Sequence, residues 1–155
     1  ILEVSFLLCL SCSVSLSAFS LSEQVSKCRH SVSCPPVFAC IKYSSSPLFQ
    51  HFCLQSGANL ASVHSLDEYK FMQDLVLART GEYTRTWIGG SDAIQNNVWM
   101  WSDGSRFDFQ GWGWGEPNNH QGRESCVEIN YGGTRWNDWA CEDQFPFVCV
   151  KKLNC

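Results

Sequence analysis

The stretch Gly111-Trp112-Gly113-Trp114-Gly115-Glu116-Pro117-Asn118-Asn119-His120-Gln121-Gly122 decides how this chain is read. Its apolar residues follow neither the helical nor the strand period, so it is a long loop. A structureless loop of this length inside a compact domain is usually functional. Glu116-Pro117-Asn118 lies within it, Glu124 follows, and Trp136-Asn137-Asp138 comes inside about two dozen residues. Glu116, Asn118, Glu124, Asn137 and Asp138 together offer three carboxylates and two amide carbonyls. All are hard oxygen donors, the set that suits calcium. A lone Asn-Asp pair reads as a solvated turn. The whole set, in Gly- and Asn-rich sequence bracketed by cysteines, reads as a calcium site on stapled loops.

Upstream of the loop the chain is periodic. Ser65 and Glu68 form the S-x-x-E pattern of a capping box. Leu66, Tyr69, Met72, Leu75 and Val76 then recur at helical spacing to about Thr80, a stripe for a core. Pro47 to Ser56 predicts a first, short helix, with Pro near its start and Gly57 just past its end. Phe38 to Tyr43, Trp87 to Gly90, Val98 to Trp101, Cys126 to Asn130 and Phe145 to Val150 predict strands, and Ser102-Asp103-Gly104 a turn. Two helices followed by short strands and long loops make an α+β pattern.

The chain has 155 residues, enough for one domain, and a formal net charge of -4. No basic stripe is present for a nucleic-acid backbone. All seven tryptophans fall between Trp87 and Trp139, so that half carries most of the core. Val4 to Ala18 is apolar, uncharged and too short to span a bilayer. With small residues at Ala18 and Ser20 it predicts a secretory signal over 1–20, N-terminally incomplete because no initiator Met or basic region precedes it. A polar arm over 21–33, a domain over 34–152 and a tail over 153–155 complete the organisation. Of ten cysteines, Cys9 and Cys12 would leave with the signal, and the even remainder implies a disulfide framework in an extracellular protein. Zinc is disfavoured: the mature cysteines lack the short C-x2-C pair, and the histidines lack H-x3-5-H spacing.

The ordered series Leu60-Ala61-Ser62-Val63-His64-Ser65, Trp87-Ile88-Gly89-Gly90, Trp99-Met100-Trp101-Ser102-Asp103-Gly104, Glu116-Pro117-Asn118, Trp136-Asn137-Asp138 and Phe147-Val148-Cys149 resembles a C-type lectin domain. The resemblance spans roughly Cys34 to Cys149 and is nearest the secreted single-domain lectins of fish. It implies a C-type lectin-like fold: two helices, small antiparallel sheets, a long calcium-binding loop and disulfide staples. It implies bridges Cys53–Cys149 and Cys126–Cys141. Near the N-terminus it implies Cys34–Cys40, with Cys28–Cys40 as the rival. Cys28 and Cys155 are then left to pair with each other or between chains.

The family's sugar-binding calcium site carries over onto Glu116, Asn118, Glu124, Asn137 and Asp138, with Pro117 expected cis. Calcium takes six to eight oxygens and leaves positions open to two vicinal sugar hydroxyls. Glu116 with Asn118, and Glu124 with Asn137, would each offer an acceptor and a donor to a hydroxyl that does both. Glu-Pro-Asn resembles the mannose-type members; galactose-type members carry Gln-Pro-Asp. Of the family's second calcium site Asp92 survives, while Asn96 and Ser125 are poorer in charge and Asn119 could contribute, so that site is expected weak or empty. Trp114 is read either as core or as a sugar-stacking platform; Trp87, Trp99, Trp101 and Trp112 are read as core.

The resulting expectation is a secreted, calcium-dependent lectin for mannose-type glycans in innate defence. A glycosidase pair, Glu116 with Glu124 or Asp138, fits less well, because each acid is flanked by Asn rather than set in an apolar cleft. No nucleophile elbow is present, and no enzyme is expected. Ice binding on the same fold is the serious rival, but Thr80, Thr84, Thr86 and Thr134 are the only threonines. A single shallow site calls for several copies, so a homo-oligomer linked through Cys28 or Cys155 is the expected assembly.

Overall fold

The structure is a computed structural model that describes residues 37–42 and 49–152. The signal over 1–20, the arm over 21–33, the tail over 153–155, and Cys28, Cys34 and Cys155 lie outside the described residues. So does the side chain of Cys40, and with it both N-terminal pairings.

Helix α1 (Phe49–Gln55) buries Phe49 and Cys53. It closes where Gly57 enters the left-handed region at φ 66°, and Gly57 N and Ala58 N donate back to Leu54 O and Cys53 O. Helix α2 (Leu66–Thr80) starts at Ser65, whose side chain accepts from Glu68 N, and ends at Gly81 at φ 84°. The Glu68 carboxylate accepts from His64 N at 2.6 Å rather than from the Ser65 amide, so the capping box reaches one residue further back. Tyr69, Met72, Leu75 and Val76 are buried. Leu66, expected on the same stripe, is 54% exposed as the first residue of α2. Gln73 is buried instead and donates to Asn130 Oδ1 at 3.1 Å.

The strands are β1 (Val37–Lys42), β2 (Asn59–Leu60), β3 (Thr86–Ser91), β4 (Met100–Trp101), β5 (Cys126–Tyr131), β6 (Arg135–Trp139) and β7 (Phe147–Lys152). They join in one seven-stranded sheet of order β1-β7-β3-β5-β6, with β2 on β7 and β4 on β3. Every pairing is antiparallel except Trp87 with Phe147, where β3 and β7 run parallel. β4 is shorter than the Val98–Trp101 strand its sequence suggests. Asp92 Oδ2 accepts from Asn97 N at 2.8 Å and Val98 N donates to Gln95 O, which folds 92–98 into a turn first.

Gly89 and Gly90 let three strands meet. A Cβ on Gly90 would stand 2.5 Å from Val127 Cγ2, and one on Gly89 would stand 2.7 Å from Ser102 Oγ. One apolar cluster gathers Phe49, Leu60, Trp87 and Phe147 between α1 and the sheet. A second gathers the α2 stripe with Ile88, Trp101, Val127, Ile129 and Trp136. Disulfides Cys53–Cys149 and Cys126–Cys141 bind α1 to β7 and the start of β5 to the segment after β6. Among the described residues no helix is long and apolar enough to cross a membrane.

Candidate functional site

Trp136 fixes the long loop to the sheet. It is fully buried, with Tyr69, Trp101, Phe107, Phe109 and Trp112 edge-on around it at centroid distances of 5.7 to 6.1 Å. Edge-to-face packing suits the ring quadrupoles. Its backbone takes the loop as an extra partner: Trp136 N donates to Gly111 O at 2.9 Å and Gly113 N donates to Trp136 O at 2.8 Å. Only glycine fits at 111, since a Cβ there would lie 2.9 Å from Trp136 Nε1. Beyond this anchor Glu116 N donates to Gly113 O, closing a turn. Trp114 stands on that turn and is 101% exposed, which removes the core reading. Trp87 and Trp101 are buried, and Trp99 and Trp112 are half-buried against the core.

The Glu116–Pro117 peptide is cis. The next three residues are held by the acids expected to bind metal. Asn118 N donates to Asp138 Oδ1 at 3.0 Å and Asn119 N to Asp138 Oδ2 at 2.7 Å. His120 N donates to Glu124 Oε2 at 2.8 Å, and Glu124 N to Asn119 Oδ1 at 3.2 Å. Asp138, Asn137 and Glu124 are buried; Asn118 is exposed.

Glu116 carries the electrostatic strain of this arrangement. Its carboxyl is pushed up to about 7, first by burial, then by a side-chain hydrogen bond with Asp138 and by the charges of Asp138 and Glu124. Its Oε2 is buried without a hydrogen-bond partner. A buried oxygen left unpaired beside like charges is costly, and a divalent cation would relieve both faults. Among the described residues no three His, Cys, Asp or Glu side chains converge as a metal cluster. The carboxylates of Glu116, Glu124 and Asp138 with the amide carbonyls of Asn118 and Asn137 are donors of the kind calcium takes rather than zinc. A raised carboxyl could also serve as a general acid. Yet both oxygens of Asp138 and one of Glu124 already receive loop amides, so neither is set out as a free second carboxylate.

Asn137 shows what sequence reasoning missed. Its Nδ2 donates to Glu128 Oε1 at 2.9 Å. Glu128 is fully buried and paired with Arg85 through Nε–Oε2 at 2.7 Å and a second contact, Nη2 to Oε1. Glu128 lies in an alternating strand and looks solvent-facing in sequence. Its partner stands 43 residues away, so no local signal joins them.

At the second candidate site Asp92 is buried, with Oδ2 accepting from Asn97 N and Oδ1 unpartnered. Asn96 Oδ1 already accepts from Asn119 Nδ2 at 2.7 Å, and Ser125 takes part through its backbone oxygen, accepting from Ser91 Oγ. Elsewhere, His64 Nδ1 meets Asp108 Oδ1 at 2.9 Å and His64 Nε2 meets Ser105 Oγ at 3.2 Å. The Ser105 hydroxyl donates to Asp103 Oδ1, so its proton is not directed at the imidazole. The group clamps the loop after β4 to the start of α2.

The family model for the lectin C-type domain matches residues 47–151. The chain is 51% identical over 109 residues to ladderlectin of Oncorhynchus mykiss, covering 70% of this chain and 57% of that protein. It is 44% identical over 101 residues to the galactose-specific lectin nattectin of Thalassophryne nattereri, covering 65% of this chain and 64% of that protein. It thus spans less than two thirds of the length of either relative. Among solved structures, herring type II antifreeze protein superposes with a TM-score of 0.66 at 31% identity, covering 75% of this chain and 92% of that one.

Proposed function

This chain belongs to the lectin C-type domain family, and we propose that it is a secreted, calcium-dependent lectin for mannose-type glycans. The observation that carries the reading is Glu116: its buried Oε2 lacks a partner while Asp138 and Glu124 crowd it with negative charge. Glu116, Asn118, Glu124, Asn137 and Asp138 would hold the ion. Bound calcium supplies open coordination positions that two vicinal hydroxyls can fill. The chain's own residues do the rest. Asp138 ties down the backbone of Asn118 and Asn119, and Glu124 that of His120, so the loop is ordered before a sugar arrives. Carboxylates accept from the sugar hydroxyls and side-chain amides donate to them.

Nattectin's name says galactose. Mannose is proposed here because Glu116 and Asn118 alternate acceptor and donor in the order of the mannose-type motif. Secretion is proposed from the apolar, uncharged stretch Val4 to Ala18 and from the disulfides Cys53–Cys149 and Cys126–Cys141. Glycans of microbes or glycoproteins, met by several linked copies, are the proposed targets in innate defence.

Ice binding has the antifreeze fold in its favour. Against it, Thr86 is buried, and Thr80, Thr84 and Thr86 hydroxyls donate within the chain, which leaves no threonine array for a flat face. The test is retention on mannose-agarose in calcium with release by EDTA, beside thermal hysteresis in the same buffer. Retention by galactose alone would reject the specificity. Retention that survives EDTA would reject the calcium mechanism. Hysteresis without sugar retention would favour the rival.

A further inference from the structure

Asn137 and Glu128 are direct partners across the antiparallel pair β5–β6. Asn137 is also a proposed ion ligand, and an asparagine amide has two ends of nearly equal size. Only its carbonyl oxygen can ligate a cation; the amide nitrogen would repel one. Something must choose which end faces the ion.

We propose that Arg85 and Glu128 are positioning residues for Asn137: they engage its Nδ2 and leave its Oδ1 as the oxygen presented to a bound divalent cation. This rests on the calcium reading above and deepens it. An ionised carboxylate accepts hydrogen bonds and cannot donate them. The Glu128 carboxylate therefore selects the NH2 end of Asn137, whichever way the amide is turned beforehand. Glu128 is fully buried, and a carboxylate buried without a partner is costly. Arg85 supplies the partner through two contacts. Its guanidinium is in turn held by three rings, with centroids at 4.4 Å for Trp139, 4.5 Å for Phe145 and 5.5 Å for Tyr131. Such stacking fixes a planar cation in place. The order of action runs from aromatic cage to guanidinium, to carboxylate, to amide.

Glu128→Gln keeps the shape but offers Asn137 either a donor or an acceptor, so the choice is lost. Outer partners of metal ligands typically cost roughly 10- to 100-fold in metal affinity when removed, and that weakening is expected for calcium measured by titration calorimetry. Gln73→Leu serves as the stability control, because it breaks a buried hydrogen bond to Asn130 and should lower the melting temperature without moving calcium affinity. In the metal-free wild type, NMR should show one Asn137 side-chain amide proton protected from exchange. An unprotected Asn137 amide, unchanged calcium affinity in folded Glu128→Gln, or an equal loss in Gln73→Leu would each overturn the proposal. A wild type that binds no calcium yet protects that amide would instead sink the calcium reading and leave the hydrogen-bond selection standing.

Discussion

Asn118 and Asp138 lie 20 residues apart and are joined by a single hydrogen bond, Asn118 N to Asp138 Oδ1 at 3.0 Å. A second bond, from Asn119 N to Asp138 Oδ2 at 2.7 Å, uses the other oxygen of the same carboxylate. One buried side chain on β6 thus organises the loop backbone immediately after Pro117. The acid proposed to bind the ion is also the acid that shapes the loop, which links metal binding to loop order.

Asp138→Ala should therefore loosen the loop even without metal. It removes the acceptor of two partly exposed loop amides, and each such hydrogen bond is worth about 0.5–1.5 kcal/mol net. The expected result is a lower melting temperature and faster protease cleavage between Gly111 and Gly122, with faster exchange at the Asn118 and Asn119 amides. Wild-type exchange at both amides would show that Asp138 does not hold them.

Gly90→Ala tests the strand crossing. Its new Cβ would sit 2.5 Å from Val127 Cγ2, inside a packed layer that also holds Trp101. Overpacking of this kind costs about 1–3 kcal/mol. Denaturant unfolding should show a lower midpoint at unchanged slope. A neutral substitution would mean that β3 and β5 can part cheaply.

How legible this was in the sequence depends on range. The Ser65 cap, the α2 stripe and the strand β7 were readable because their signals are local. The exposure of Leu66 was not, since position on a helical wheel does not say whether a helix's first residue is covered by the core. The donor set proposed around Glu116-Pro117-Asn118 rests on residue types and on the motif order, which are local signals. The hydrogen bonds to Asp138 and the Arg85–Glu128–Asn137 chain were hidden, because they depend on a strand register and on partners far apart in sequence. Trp114 needed the turn closed by Gly113 and Glu116 to show which of its two readings survives.

Trp114→Ala should leave stability within about 0.5 kcal/mol, the usual range for a surface change, since the side chain is 101% exposed. If the indole is a stacking platform beside the sugar, the variant should lose affinity severalfold and the wild type should show a tryptophan fluorescence change on adding mannose. Equal affinities and a silent signal would remove Trp114 from the binding surface.

Acid should oppose calcium, and the first group to titrate should be Glu116. In the metal-free protein its carboxyl is raised from 4.5 to about 7, by burial first and by Asp138 and Glu124 after it. A raised acid favours the folded state below its ordinary value, and that contribution is lost as pH rises through about 7. Metal-free protein should thus become less stable on going from mildly acidic to mildly alkaline pH, and Glu116→Gln should flatten that trend. Calcium reverses the preference, because the ion needs the carboxylate and competes with its proton. Calorimetry in buffers of different ionisation enthalpy should detect proton release on calcium binding near neutral pH. At limiting calcium, sugar retention should fall as pH drops below about 7. Saturating calcium should move that fall to lower pH. Calcium binding without proton release, together with sugar affinity that stays flat across this range, would reject Glu116 as a ligand.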